Sequence, residues 1–322
     1  MPAPRSALLL LLPVLGFTFW LLFSSPSPET LQVAHSRIHY RPPIYHTHPP
    51  TWLEREEAAY RESLAERTAL IKTWGPQLHE VESFPPNWKM YTLWDFFTPS
   101  FQCPYRTTRV GRRGDGGKWI CGMEEVAAKP ACVVYSFGVN RDSSFEAAVL
   151  EKAPHCEIWG YDFSVSNWGP ELSENPVYAA QSHFNAFALA GRDAHSPTDS
   201  PKMYTLQSLM AMNGHDHIDI LKVDIEEAEF DVLGELVASY AEKNEPLPFS
   251  QLQLEIHAWH QHAEFPYFLK WWESLEAAGL RPFWFEPNLI HVNLLRGVPP
   301  DVAEYAFLNI RGKQGLVPEL DF

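Results

Sequence analysis

From about residue 88 onward, short apolar runs alternate with stretches of helical periodicity. "ACVVYSF" (131–137) is β-branched and aromatic and stops at Gly138, and "SSFEAAVLEKA" after it has the composition of a helix. "EIWGYDF" (157–163) predicts a second strand. "HIDILKVDI" (217–225) predicts another, followed by a helix through "EAEFDVLGELVASYAE". "SQLQLEIHAW" (250–259) and the helix "EFPYFLKWWESLEAAG" come next, and "LRPFWFEP", "IHVNLL" and "EYAFLNI" close the chain as strands. Strands separated by helices predict an α/β fold, a doubly wound and mostly parallel sheet covered on both faces. The late strands, with shorter connections, predict an antiparallel edge at the C-terminal end.

Upstream the pattern changes. Residues 51–74 mix strong helix formers with opposite charges at helical spacing, with Thr51 as cap and Gly75-Pro76 as stop. Residues 24–50 are proline-rich without periodicity and predict an extended stem, in which His35, His39, His46 and His48 read as linker residues. "ALLLLLPVLGFTFWLLF" (7–23) is uncharged, follows Arg5 and is about long enough to cross a bilayer as a helix. It ends in Trp20 to Phe23 rather than the small residues of a cleavage site, which favours an uncleaved signal anchor. The expected organisation is residues 1–24 as a transmembrane signal anchor, 25–85 as stem and helical lead-in, and 86–322 as the main domain. A single-pass protein of the secretory pathway, Golgi or ER, with a lumenal main domain is the expected placement. No N-x-S/T sequon occurs, which leaves the orientation open.

The 322 residues are 45% hydrophobic, ample for one large domain with an appendage, and the net charge of −15 argues against a nucleic-acid partner. None of the four cysteines lies in a C-x-x-C pair. Cys132 and Cys156 read as buried thiols, whereas Cys103 and Cys121 flank a loop and can pair in an oxidising compartment.

In an open α/β sheet, ligands sit beyond the C-terminal ends of the strands. Gly138 ends the first strand, but no G-x-G-x-x-G follows it. Asp162 lies 24 residues further on, and that spacing leaves a ribose-binding and a turn-capping role both open. Alternation puts Ile220, Lys222 and Asp224 on one face of their strand, with Asp224 or Glu255 as partner for the lysine. Glu227, Glu229 and Asp231 read as the solvated first turn of a helix, where negative charge offsets the macrodipole. His257 reaches the strand rim with His260 and His262 just beyond. A rim histidine suits general-base work, three histidines with Asp224 suit a metal, and each singly also suits a structural role.

"IDILKVDIEEAEFDVL" resembles the signature of the FkbM-type methyltransferases, and a wider set of motifs resembles the methyltransferase-like protein 24 group of that superfamily. That set includes "GDGGKWIC" (114–121), "VVYSFGVNRDSSFE" (133–146), "IWGYDFS" (158–164), "LQLEIHAWH" (252–260) and "FWFEPN" (283–288). The resemblance implies a Rossmann-like fold and S-adenosylmethionine as cofactor. It implies that Gly138 approaches the methionine part, that Asp162, beside Phe163, takes the ribose, and that Asp224 and Glu226 face the cleft. Asp115, Gly116, Gly117 and Lys118 are implied to form a loop over the cofactor. Asn140 and Glu227 stand where glycines are usual, which leaves the backbone less room there.

The expected function is methyl transfer to a carbohydrate or other hydroxyl-bearing acceptor, with Asp224 or His257 as base and no metal. Two other readings remain. An anchor, a stem and Asp224-Ile225-Glu226 after a strand suit a manganese-dependent glycosyltransferase, and a scaffold with a decayed pocket is compatible with Asn140 and Glu227.

Overall fold

The computed structural model describes residues 51–86, 88–312 and 316. The expected membrane segment and stem lie outside the described residues, among which no helix is long and apolar enough to cross a membrane.

Seven strands form the main sheet: β1 (Cys132–Phe137), β2 (Cys156–Tyr161), β3 (Ser182–Asn185), β4 (Ile218–Val223), β5 (Phe249–His257), β6 (Leu280–Pro287) and β7 (Val302–Asn309). Their order is β3-β2-β1-β4-β5-β7-β6. The first five pair in parallel, and β7 is antiparallel to both its neighbours. The antiparallel strand therefore lies one place inside the edge, and β6 takes the edge itself. The chain returns from β6 to β7 through residues 288–301, which carry a short helix.

The main helices are α1 (Trp52–Trp74), α2 (Ser144–Lys152), α3 (Leu206–Asn213), α4 (Glu229–Lys243), α5 (Phe265–Ala277) and α6 (Leu289–Leu295). The last is a correction, because "IHVNLL" predicts a strand. Asn288 accepts the His291 N–H at 2.9 Å and so caps a helix that the β-branched residues alone do not suggest.

Period-two alternation sends strand side chains to two cores. Tyr135, Phe137, Leu221, Val223 and Leu254 pack on one side with Phe230 of α4 and Phe268 and Trp272 of α5. Val134, Ile158 and Ile220 pack on the other with Phe145, Val149 and Leu150 of α2. Every residue of β4 is buried, as a central strand covered on both faces requires.

A hairpin of Thr107–Val110 and Lys118–Cys121 lies outside the main sheet. Cys121 at its end is bonded to Cys103, the pairing that the flanked loop suggests. Cys132 and Cys156 are not free thiols but a second disulfide, since they are register partners on β1 and β2. α1 is fastened to α5 by a buried fork. Arg67 donates to both carboxylate oxygens of Glu276 at 3.0 and 2.6 Å, and its Nε donates to the Phe96 carbonyl.

Candidate active site

The chain runs from β1 outward to β2 and β3, then returns to β4 on the other side of β1. That reversal opens a crevice at the strand ends, and a cavity of about 900 Å³ occupies it.

Its floor is backbone. Gly138 has φ +75° and lies against the main chain of Asp224. Lys222 donates to the Gly138 carbonyl at 2.7 Å. Its partner is thus a main-chain oxygen, where alternation alone suggests Asp224 or Glu255, and it holds the turn in place. Asn140 adopts φ +49°, which asparagine tolerates, and its N–H donates to Asp162 at 2.7 Å. The other oxygen of Asp162 accepts from the N–H and hydroxyl of Ser164 at 2.8 and 2.6 Å. Asparagine is thus accommodated in this left-handed turn. Phe163, between these two residues, is exposed and lines the cavity.

Glu146 of α2 is a site residue that the sequence does not reveal. It is fully buried and lines the cavity. One oxygen accepts from Ser136, while the other has no hydrogen-bond partner among the described residues. A carboxylate on a helix of mixed composition reads as surface, and only the packing of α2 on β1 turns it inward.

Asp224, whose main chain meets Gly138, carries its carboxylate into a charged cluster. Lys118, wholly buried, places its ammonium 3.8 Å from Asp224 and 3.4 Å from Glu255, and it contacts Glu304 as well. The expected loop is therefore divided. Asp115 and Gly116 line the cavity. Gly117 packs against Arg109 and Arg112, and Lys118 turns away to pair with the carboxylates. Glu304 and Glu255 are cross-strand partners on β7 and β5, and adjacent like charges repel. Burial and the neighbouring Glu255 raise Glu304 well above the carboxylate range despite Lys118. Glu255, though burial pushes it up, is held well below that range by Lys118. Burial and the Glu255 charge push Asp224 up to about 7, against the pull of Lys118 and Lys222.

His257 also lines the cavity. Burial opposes its charging, yet Glu229, with help from Asp224 and Glu255, brings its pKa up to about 9. Glu229 accepts the His257 N–H at 2.7 Å and contacts Nδ1 at 3.1 Å. Glu229 is fully buried, which corrects its reading as a solvated helix start; exposed Asp231 keeps that character. Glu227 is corrected too, because its carboxylate contacts His260 at 3.1 Å and His262 at 2.7 Å. Those two histidines therefore face Glu227, and among the described residues no group of three or more metal-binding side chains is assembled. Glu226 and Glu227 take φ +55° and +80° in succession. Glutamates in that region store roughly 1–3 kcal/mol of strain each. Glu226 lines the cavity from this turn.

A family model described as a methyltransferase domain matches residues 67–295. The chain belongs to this methyltransferase-domain family. It is 29% identical over 141 residues to a Rattus norvegicus protein named probable methyltransferase-like protein 24, covering 42% of this chain and 36% of that one. The Homo sapiens protein of the same name is 28% identical over 131 residues, covering 39% and 32%. The matches span about a third of the length of these curated relatives. Methyltransferase FkbM from Methylobacillus flagellatus is a structural neighbour at 12% identity and a TM-score of 0.33, over 55% of this chain and 43% of that one. A superposition that loose bears on neither the site nor its chemistry.

The family implies S-adenosylmethionine, and the residues present fit it. A buried carboxylate oxygen without a partner among the described residues, on Glu146, suits an ammonium group. Gly138, at φ +75° and packed on the Asp224 main chain, turns the strand end so that its backbone lines the cavity. Asp162 keeps accepting capacity beyond the bonds it makes, as hydroxyl donors require.

Proposed function

We propose that the chain is an S-adenosylmethionine-dependent O-methyltransferase in which Asp224 is the base. The observation that carries this reading is one continuous cavity. It brings the Gly138 turn, Glu146 and Asp162 together with the Asp224 carboxylate, whose pKa lies near 7. Glu146 would hold the amino-acid end of the cofactor, Asp162 its ribose, and Phe163 a face of its base. Bound there, S-adenosylmethionine supplies a methyl group on an activated sulfonium. An acceptor hydroxyl presented to that methyl group would pass its proton to Asp224. Alignment provides much of the rate in an in-line displacement. A pKa near the working pH suits a base that must be ionised yet still basic. His257 keeps its proton at neutral pH and acts as a donor to the acceptor rather than as the base.

Carbohydrate is the acceptor class suggested by the family resemblance. Two disulfides within the described residues favour an oxidising compartment, in line with a lumenal domain behind an N-terminal signal anchor.

Calorimetry with S-adenosylmethionine and S-adenosylhomocysteine, together with mass spectrometry for a co-purifying ligand, tests the reading. Binding of both is expected. Stabilisation by UDP with Mn²⁺ and by neither S-adenosyl compound would replace it with the glycosyltransferase reading.

A further inference from the structure

Beyond Asp224 the cavity continues outward between Trp259, after β5, and α6. α6 buries none of its seven residues. Leu289, Leu294 and Leu295 are 67%, 71% and 57% exposed, and Ile290, Leu294 and Leu295 line the cavity mouth. A helix of this length that packs into no core owes its position to other contacts. Here they are polar and lie at its start. Asn288 Nδ2 donates to Glu255 at 2.8 Å, and His291 Nε2 meets Asp301 at 3.0 Å. The sequence thus fastens an aliphatic surface to the charged cluster. An apolar patch that is continuous with a ligand cavity is a surface that the ligand covers.

The charge of the lining restricts that ligand further. Among the described residues, eight cavity side chains are carboxylates, against two cations, Lys222 and the protonated His257. A sulfated, phosphorylated or carboxylated acceptor would meet repulsion along most of its path. Hydroxyls, by contrast, find acceptors on every wall.

We propose that the acceptor is an uncharged amphiphile, with a hydroxylated head that reaches Asp224 and an aliphatic portion laid along Ile290, Leu294 and Leu295 beside Trp259. This rests on the methyl-transfer reading of the same cavity. Trp259 offers a flat face at the junction, 4.7 Å from the His257 ring between centroids, where a ring in the head group can stack.

The test uses the full chain, radiolabelled S-adenosylmethionine and soluble probes: octyl and methyl glycosides of glucose, galactose and mannose, and octyl glucuronide. At least one octyl glycoside is expected to be labelled with kcat/KM ~10-fold or more above its methyl counterpart, since several methylenes leave water. The glucuronide is expected to be labelled ~10-fold less well than octyl glucoside. Replacing both leucines (L294S with L295S) should bring the octyl glycoside down to the methyl one while calorimetry shows unchanged cofactor affinity. Both side chains are mostly exposed, so the change spares the core. Equal labelling of octyl and methyl glycosides, preference for the glucuronide, or no labelling of any octyl glycoside by a chain that binds the cofactor overturns the proposal. A chain that fails to bind the cofactor overturns the methyl-transfer reading instead.

Discussion

The carbonyl oxygen of Asp224 lies 1.6 Å from the point where a Cβ on residue 138 would stand. β1 and β4 thus meet backbone to backbone at their C-terminal ends, with Lys222 fastening the contact. Gly138→Ala is expected to destabilise the chain by about 3 kcal/mol, from overpacking and strain together, and to abolish cofactor binding. Urea unfolding and calorimetry measure both. Wild-type values in the variant would show that the strand ends can part freely.

Asp162 joins the glycine turn to the end of β2 through Asn140 and Ser164. Asp162→Ala is expected to weaken S-adenosylmethionine binding by ~10–100-fold, the loss of charged hydrogen bonds worth roughly 1.5–3 kcal/mol. Unchanged affinity by calorimetry would remove Asp162 from the site.

Lys118 is the cation among three carboxylates. Lys118→Met leaves them uncompensated and is expected to cost about 3–5 kcal/mol. Without the cation their folded-state pKa values rise, so the folded state binds more protons and the loss should shrink as pH falls towards 5. Denaturant titrations at several pH values test this, and a loss that stays constant with pH would contradict it.

Asp224, at about 7, and His257, at about 9, both lie above their ordinary values of 3.8 and 6.5. In each case the folded state holds the proton more tightly than the unfolded chain. The stability that each contributes is complete below its ordinary value and is lost as pH rises through the folded one. Stability is therefore expected to decline between 3.8 and about 7 through Asp224, and between 6.5 and about 9 through His257. Asp224→Asn should flatten the first slope and His257→Gln the second. Methyl transfer responds to Asp224 in the opposite sense, because the base works ionised: kcat should rise as pH passes about 7.

The two disulfides close loops with separations of 18 and 24 residues. Each is expected to contribute roughly 3 kcal/mol by restricting the unfolded chain. Cys103→Ser and Cys132→Ser should each lower the thermal midpoint, while non-reducing mass spectrometry of the wild-type chain should detect no free thiol among these four cysteines.

The sheet was legible because buried parallel strands must be apolar runs, as in "CVVYSF" and "IDILKV". β3 escaped notice because every residue of that edge strand is only half-buried, which leaves no contrast to read. Gly138, Asp162 and Asp224 stand out in the sequence because they end strands, and all three line the same cavity. Glu146 and Glu229 do not, since a carboxylate in a helix signals solvent until a neighbouring element covers it. The Cys132–Cys156 bond depends on the register of two strands, and Lys118 reaches its carboxylates from a hairpin outside the main sheet. Neither relationship is local in the chain.

The fork between Arg67 and Glu276 limits how the protein can be shortened. A recombinant fragment that begins at residue 86, where the main domain was expected to start, would strip the Glu276 carboxylate of its arginine and leave it the Trp272 indole. It would also remove Glu57, which binds Arg281 at 2.6 and 3.2 Å. For anyone producing the described domain, the useful cut lies ahead of Thr51, so that the first helix travels with the fold it braces.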